Sequence, residues 1–155
     1  MKSSEEIQTQ SIEKFVEQAV ASAQVWGLKN DLGWTVAMSN QYDDVQAYVF
    51  WTTQQLALAC AKEEWETYKP TAIPLSEFLE DWCIGVFDEN SLIGVEWTFD
   101  MCGSESEPME LAQAIVQELR KTNSAITFTK YKSLQALANL IDKAILDDQD
   151  FSGDN

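Results

Sequence analysis

Carboxylates are the groups of this chain best placed to do chemistry: it carries 26 Asp plus Glu and no histidine. Without imidazole there is no Ser-His-Asp or Cys-His arrangement, no imidazole metal site, and no ordinary general base near neutral pH. Paired carboxylates of the glycosidase kind remain, but so many acids make pairs by composition alone, and no pair is singled out by its neighbours. A carboxylate enzyme holding Mg²⁺ or Mn²⁺ is therefore the catalytic alternative, because those ions take oxygen ligands. Neither a G-x-G-x-x-G nor a P-loop pattern occurs, so no cofactor is implied. Cys60, Cys83 and Cys102 have no Lys or Arg cluster beside them to lower a thiol pKa. Cys60 and Cys83 fall on apolar helix faces as buried structural thiols, and Cys102, before Gly103, is expected to be the more exposed. Asp148 to Gly153 opens like a calcium loop, yet the sequence stops at Asn155, before the glutamate such a loop needs at its twelfth position. A solvated acidic tail over 147–155 is expected instead, and no metal site.

Charge sets the class of partner. Ten Lys plus Arg against the 26 acids leave a formal charge of -16, whose field repels phosphate backbones and anionic lipid heads. Nucleic acid and membrane surfaces are disfavoured, and a basic protein is the partner that fits. No stretch approaches the roughly 20 apolar residues of a membrane span, and the start carries no export signal, so a cytoplasmic location with reduced cysteines is expected.

These groups must be positioned by a core, and 45% hydrophobic content with 11% aromatics supplies one for a single domain. Ile12, Phe15, Val16, Ala19, Val20 and Ala23 follow helical spacing and predict a helix over 11–23, capped by Ser11 after a flexible segment 1–10. Short β-rich runs at 24–29 and 34–38 flank Asn30-Asp31-Leu32-Gly33, the turn chemistry of a hairpin. The run 45–51 predicts a third, more continuously apolar strand. Thr52 or Thr53 is the expected cap of a helix carrying Leu56, Ala57, Cys60, Ala61, Glu64 and Trp65 inward. A short extended piece at 71–73 precedes a helix opening at Pro74 with Phe78, Leu79, Trp82 and Cys83 inside. The clearest later strand is 92–99, followed by a polar loop over 101–107. Pro108 suits the first turn of a helix lined by Leu111, Ala114, Ile115 and Leu119. A last helix carries Leu134, Leu137, Ala138, Ile141, Ala144 and Ile145. The expected class is α+β: one mixed or antiparallel sheet of about four to five strands flanked by helices, with an additional C-terminal helix. The organisation reads as a domain over 11–120, a helical extension over 121–146, and the tail.

Several separated segments together are distinctive: Val25-Trp26-Gly27-Leu28-Lys29, Gly33-Trp34, Phe50-Trp51, Cys60-Ala61-Lys62-Glu63-Glu64-Trp65, Ile73-Pro74-Leu75-Ser76-Glu77-Phe78-Leu79-Glu80-Asp81-Trp82 and Leu92-Ile93-Gly94-Val95-Glu96-Trp97. In order and spacing they resemble the bacterial family catalogued as domain of unknown function 2750, over about Phe15 to Leu119. The resemblance implies a bacterial, cytoplasmic origin. It carries no catalytic or binding role onto any residue.

The matching charges are by default the solvated faces of helices. The sharper alternative is a groove near Trp65 and Trp82 bordered by Lys29, Glu63, Glu64, Glu80 and Asp81. The leading functional reading is a non-catalytic module that binds a basic protein through an acidic face with aromatic anchors, for example an immunity or inhibitor protein neutralising a basic toxin. The metal-dependent enzyme and a homo-oligomeric structural protein stand as rivals.

Overall fold

A computed structural model describes residues 4–98, 100 and 103–153. Its elements are α1 (Ser4–Ser22), β1 (Gln24–Asn30), β2 (Gly33–Trp34), β3 (Val36–Met38), β4 (Gln46–Phe50), α2 (Gln54–Ala59), a 3-10 turn (Glu63–Trp65) and β5 (Lys69–Pro74). There follow α3 (Leu75–Glu77), a π-helical turn (Phe78–Cys83), α4 (Ile84–Asp88), β6 (Leu92–Val95), β7 (Ser104–Ser106), α5 (Pro108–Lys121) and α6 (Leu134–Gly153). The class is α+β in one domain, as expected. Among the described residues no helix is long and apolar enough to cross a membrane.

The single expected sheet is two. One has the order β2-β1-β5, the other β3-β4-β6-β7 with a parallel β4–β6 pair. The chain turns out of the first sheet at buried Thr35, so the return arm of the hairpin is divided between β2 and β3. Backbone bonds between Trp26 and Trp51, both 2.7 Å, stitch the sheets together.

Both sheets separate two apolar layers, and strand alternation shows how. Along β4, Tyr48 and Phe50 face the larger layer while Ala47, Val49 and the following Trp51 face the smaller. On β1, Val25 faces the larger layer and Leu28 the smaller. This two-sided burial is why 45–51 reads as a continuous apolar run. The larger layer is closed by α1, by the continuous helix 75–88, by α5 and by α6, whose Leu137 and Ile141 are buried along α5. Phe15, Phe50 and Phe78 are fully buried there, each contributing about 1.5–3 kcal/mol by removal from water.

Several boundaries differ from expectation for local reasons. Nothing in Glu5 to Gln10 breaks a helix, so α1 begins at Ser4 rather than at Ser11. Thr53 does cap α2, accepting from the Leu56 N–H at 3.1 Å, but the helix ends at Ala59. Cys60 and Trp65 are five residues apart, roughly 140° around an α-helix, and could not both face one layer without a break. The break at Lys62 and Glu63 lets both be buried, and it leaves Leu56 exposed. β6 stops at Val95 because Glu96 turns to a φ of 56°. The expected polar loop supplies β7, antiparallel to β6. Cys102 lies outside the described residues. α6 continues to Gly153, past the expected end near residue 146, since 147–152 contains no breaker.

Candidate functional site

Trp97 organises the smaller layer and with it the approach to β7. It is buried, donates Nε1–H to the Ser104 carbonyl at 3.0 Å, and through its own carbonyl accepts from Trp51 Nε1 at 2.9 Å and from the Cys60 thiol at 3.1 Å. Gly94 and Gly103 flank the indole so closely that a Cβ at either would lie 2.5 Å or 2.4 Å from it. The neighbouring Glu96 carboxylate accepts from the Thr52 N–H at 2.7 Å and its hydroxyl at 2.8 Å, and burial holds its pKa above the usual carboxylate range despite those bonds.

β7 thus places Glu105 opposite Gly94. The buried Glu105 carboxylate accepts from the Ser39 hydroxyl and from the Asn40 N–H at 2.6 Å. Ser39 Oγ in turn accepts from the N–H groups of Gln41 at 3.0 Å and Tyr42 at 3.1 Å. The β3–β4 connection is tied down by these bonds, and Tyr42 is presented 56% exposed beside β7.

Two residues beyond Glu105 is the centre of an acidic groove. Glu107 precedes Pro108 at the start of α5, but its side chain makes no cap to the helix. Three adjoining depressions of about 320, 280 and 50 Å³ all include Glu107, and the two larger share Tyr42 and Leu92. Glu110 and Asp148 line them as well, and no lysine or arginine does. All three acids are exposed at the surface; partial desolvation first, then the like charges of Glu110 and Asp148, raise the Glu107 pKa above the ordinary carboxylate range. Among the described residues neither Glu107, Glu110 nor Asp148 has an ion-pair partner, and no set of three acids or cysteines is disposed to hold a metal ion. What the groove can do is accept hydrogen bonds from a cationic side chain, with the Tyr42 ring available as a cation–π face.

The seven residues singled out from the sequence are distributed otherwise. Trp65 is buried in the smaller layer, edge-on to Trp51 with centroids 6.3 Å apart, and Glu63 and Glu64 are exposed beside it. Trp82 is half-buried against the larger layer, within 5.0 Å of Trp34 and 5.1 Å of Phe50. Glu80 is buried rather than bordering a groove: it accepts the Lys130 N–H at 2.6 Å, and the adjacent Asp81 pairs with the Lys130 ammonium. These two acids fasten the 122–133 connection, and the Asp81 bond and charge raise the Lys130 pKa. Lys29 lies over Trp34, 5.2 Å from the ring centroid. Tyr42, Glu107 and Glu110 carried no sequence signal, and Asp148 stood out only as the start of the truncated calcium-like loop, since the four come from three distant segments. The nearest hint was a lone tyrosine inside the polar stretch Asn40 to Asp44.

The site is thus an acidic, aromatic-edged groove on a two-sheet α+β domain. The chain belongs to the family described as protein of unknown function (DUF2750), whose model matches residues 12–115. That span holds Tyr42, Glu107 and Glu110 and ends within α5, leaving Asp148 on α6 outside it. No match was found among curated proteins or among solved structures.

Proposed function

We propose that the protein is a non-catalytic binding module of the bacterial cytoplasm that receives a lysine or arginine of a basic protein partner in the groove at Glu107. The observation that carries the reading is the convergence of Glu107, Glu110 and Asp148 without an ion-pair partner among the described residues, where the like charges add to desolvation in raising the Glu107 pKa. An entering guanidinium relieves that repulsion and replaces water with bidentate bonds, while Tyr42 covers its face. The formal charge of -16 steers a cationic partner toward the surface, and the groove supplies the place to dock. Inhibition or neutralisation of a basic protein is the form of function this suits. Buried free Cys60 and Cys83 accord with a reducing compartment.

The test is capture from a bacterial lysate with tagged protein and with its Glu107→Gln/Glu110→Gln/Asp148→Asn variant, at low and at moderate salt. A basic protein held stoichiometrically by the parent, lost as salt rises and lost with the variant, supports the reading. Equal retention by the variant removes the groove from it.

A further inference from the structure

The β1–β5 ladder ends on an arrangement that the acidic groove does not use. Lys29 and Lys69 stand directly opposite one another in the antiparallel register. Opposed residues share a face with Cβ atoms roughly 4.5–5.5 Å apart, where like charges destabilise a sheet. Partners of the other sign are plentiful in a chain with 26 acids and ten basic residues, yet among the described residues neither lysine is ion-paired. Both lysines line a surface depression of about 700 Å³ together with Asn30, Asp31, Thr67 and Thr71. None of these residues lines the groove at Glu107.

The depression is framed. Asn30 Oδ1 accepts from the N–H groups of Leu32 at 2.8 Å and Gly33 at 3.1 Å, and its Nδ2 donates to Thr67 Oγ1 at 3.1 Å. Because Thr67 Oγ1 is the acceptor in that bond, its own proton is left to donate into the cavity. Outside the depression's lining, the Trp34 ring occupies the space a Cβ of Gly27 would need, 2.8 Å away, and supports the Lys29 ammonium 5.2 Å from its centroid.

We infer that Lys29, Lys69 and Thr67 form a binding site for a phosphorylated, hydroxyl-bearing small molecule. Two opposed ammonium groups can each bond a different oxygen of one phosphate, and with Asp31 the lining keeps a net positive charge. Asp31 opposes an anion at its own rim, so the phosphate sits between the lysines and Asp31 accepts from hydroxyls on the rest of the molecule. The overall charge of -16 repels the ligand at long range, and binding rests on contacts well inside the ~8 Å screening length of physiological salt.

Inorganic phosphate and glycerol phosphate, titrated by calorimetry and by thermal shift against sodium chloride of equal ionic strength, test this. Saturable binding is expected, tighter for glycerol phosphate, and at least tenfold weaker in Lys29→Gln/Lys69→Gln. The same variant, freed of the opposed charges, is expected to be at least as stable as the parent without ligand. Asp31→Asn is expected to strengthen phosphate binding and to narrow the margin of glycerol phosphate over it. Should the double variant fail to fold, Lys69→Thr keeps a strand-favouring residue there and is expected to weaken binding at least threefold. No phosphate effect beyond that of chloride, or equal binding by the lysine variants, overturns the site. The variant lacking the Glu107, Glu110 and Asp148 charges is expected to bind both probes as the parent does, so this result stands or falls apart from the groove.

Discussion

Replacing Gly94 by Ala measures how rigidly Trp97 is held. Gly94 has no positive φ, so the substitution costs nothing in backbone conformation, and its whole effect is steric. The new methyl would lie 2.5 Å from Trp97 Nε1, 2.8 Å from Cε2 and 3.1 Å from Cζ2. The indole cannot swing away freely, because Nε1 is bonded to the Ser104 carbonyl at 3.0 Å and Gly103 crowds the other side. Overpacking of a filled core costs about 1–3 kcal/mol. If the ring shifts enough to strand its buried N–H, about 1–3 kcal/mol more is lost. The sum is centred near about 4 kcal/mol, a large part of the ~5–15 kcal/mol that holds a domain folded. It corresponds to a melting temperature lower by about 8–16 °C for a chain of this size. Urea unfolding followed by circular dichroism gives the difference directly. Gly85→Ala is the control: it is helical with nothing within 4 Å of its added carbon, and is expected to stabilise by about 0.5–1 kcal/mol. In a Trp97→Phe background the smaller ring makes room, so Gly94→Ala is expected to cost at least about 1 kcal/mol less there. A loss below about 1 kcal/mol in the parent would refute the account of a fixed indole.

Glu80→Ala strands the Lys130 N–H and is expected to cost about 1.5–3 kcal/mol, with faster amide hydrogen exchange concentrated in 122–133. Glu96 and Glu107 both have raised pKa values in the folded state, so the folded chain binds protons there more readily than the unfolded one. Their stability contribution is complete below the unfolded carboxylate pKa and is lost as pH rises through the folded values. Thermal stability is therefore expected to rise as pH falls from 7 into that window, and Glu107→Gln should flatten the profile. Tyr48 donates to Glu89, and burial with that bond pushes its pKa up to about 12. In an absorbance titration one of the four tyrosines should ionise late, and Glu89→Gln should bring it earlier.

Much of the scaffold was legible because single segments carried its physics. The turn residues Asn30 to Gly33, the two-sided apolar strand before Trp51, Thr53 as a cap and Pro108 in a first turn all act locally. The π-helical turn left no such mark: its wider turn brings Phe78, Leu79, Glu80 and Cys83 all inward, which a regular helical period does not anticipate for Glu80. Glu80 and Asp81 read as solvent-facing charges because their partner, Lys130, is some fifty residues distant. The groove was hidden for the same reason. Tyr42, Glu107 and Asp148 meet only once β7 is pinned by Trp97 and α6 is laid along α5. Composition foretold an excess of acids but not that Glu107, Glu110 and Asp148 would line one groove.

Titrating the isotope-labelled 17.5 kDa chain with an arginine-rich hexapeptide, with amide shifts followed by NMR, tests whether the groove at Glu107 receives a cationic side chain. Shifts concentrated at Tyr42, Glu107, Glu110 and Asp148, saturating, and abolished by the Gln/Asn variant of those three acids, are predicted. Shifts spread evenly over the acidic surface, unchanged by that variant, would contradict it.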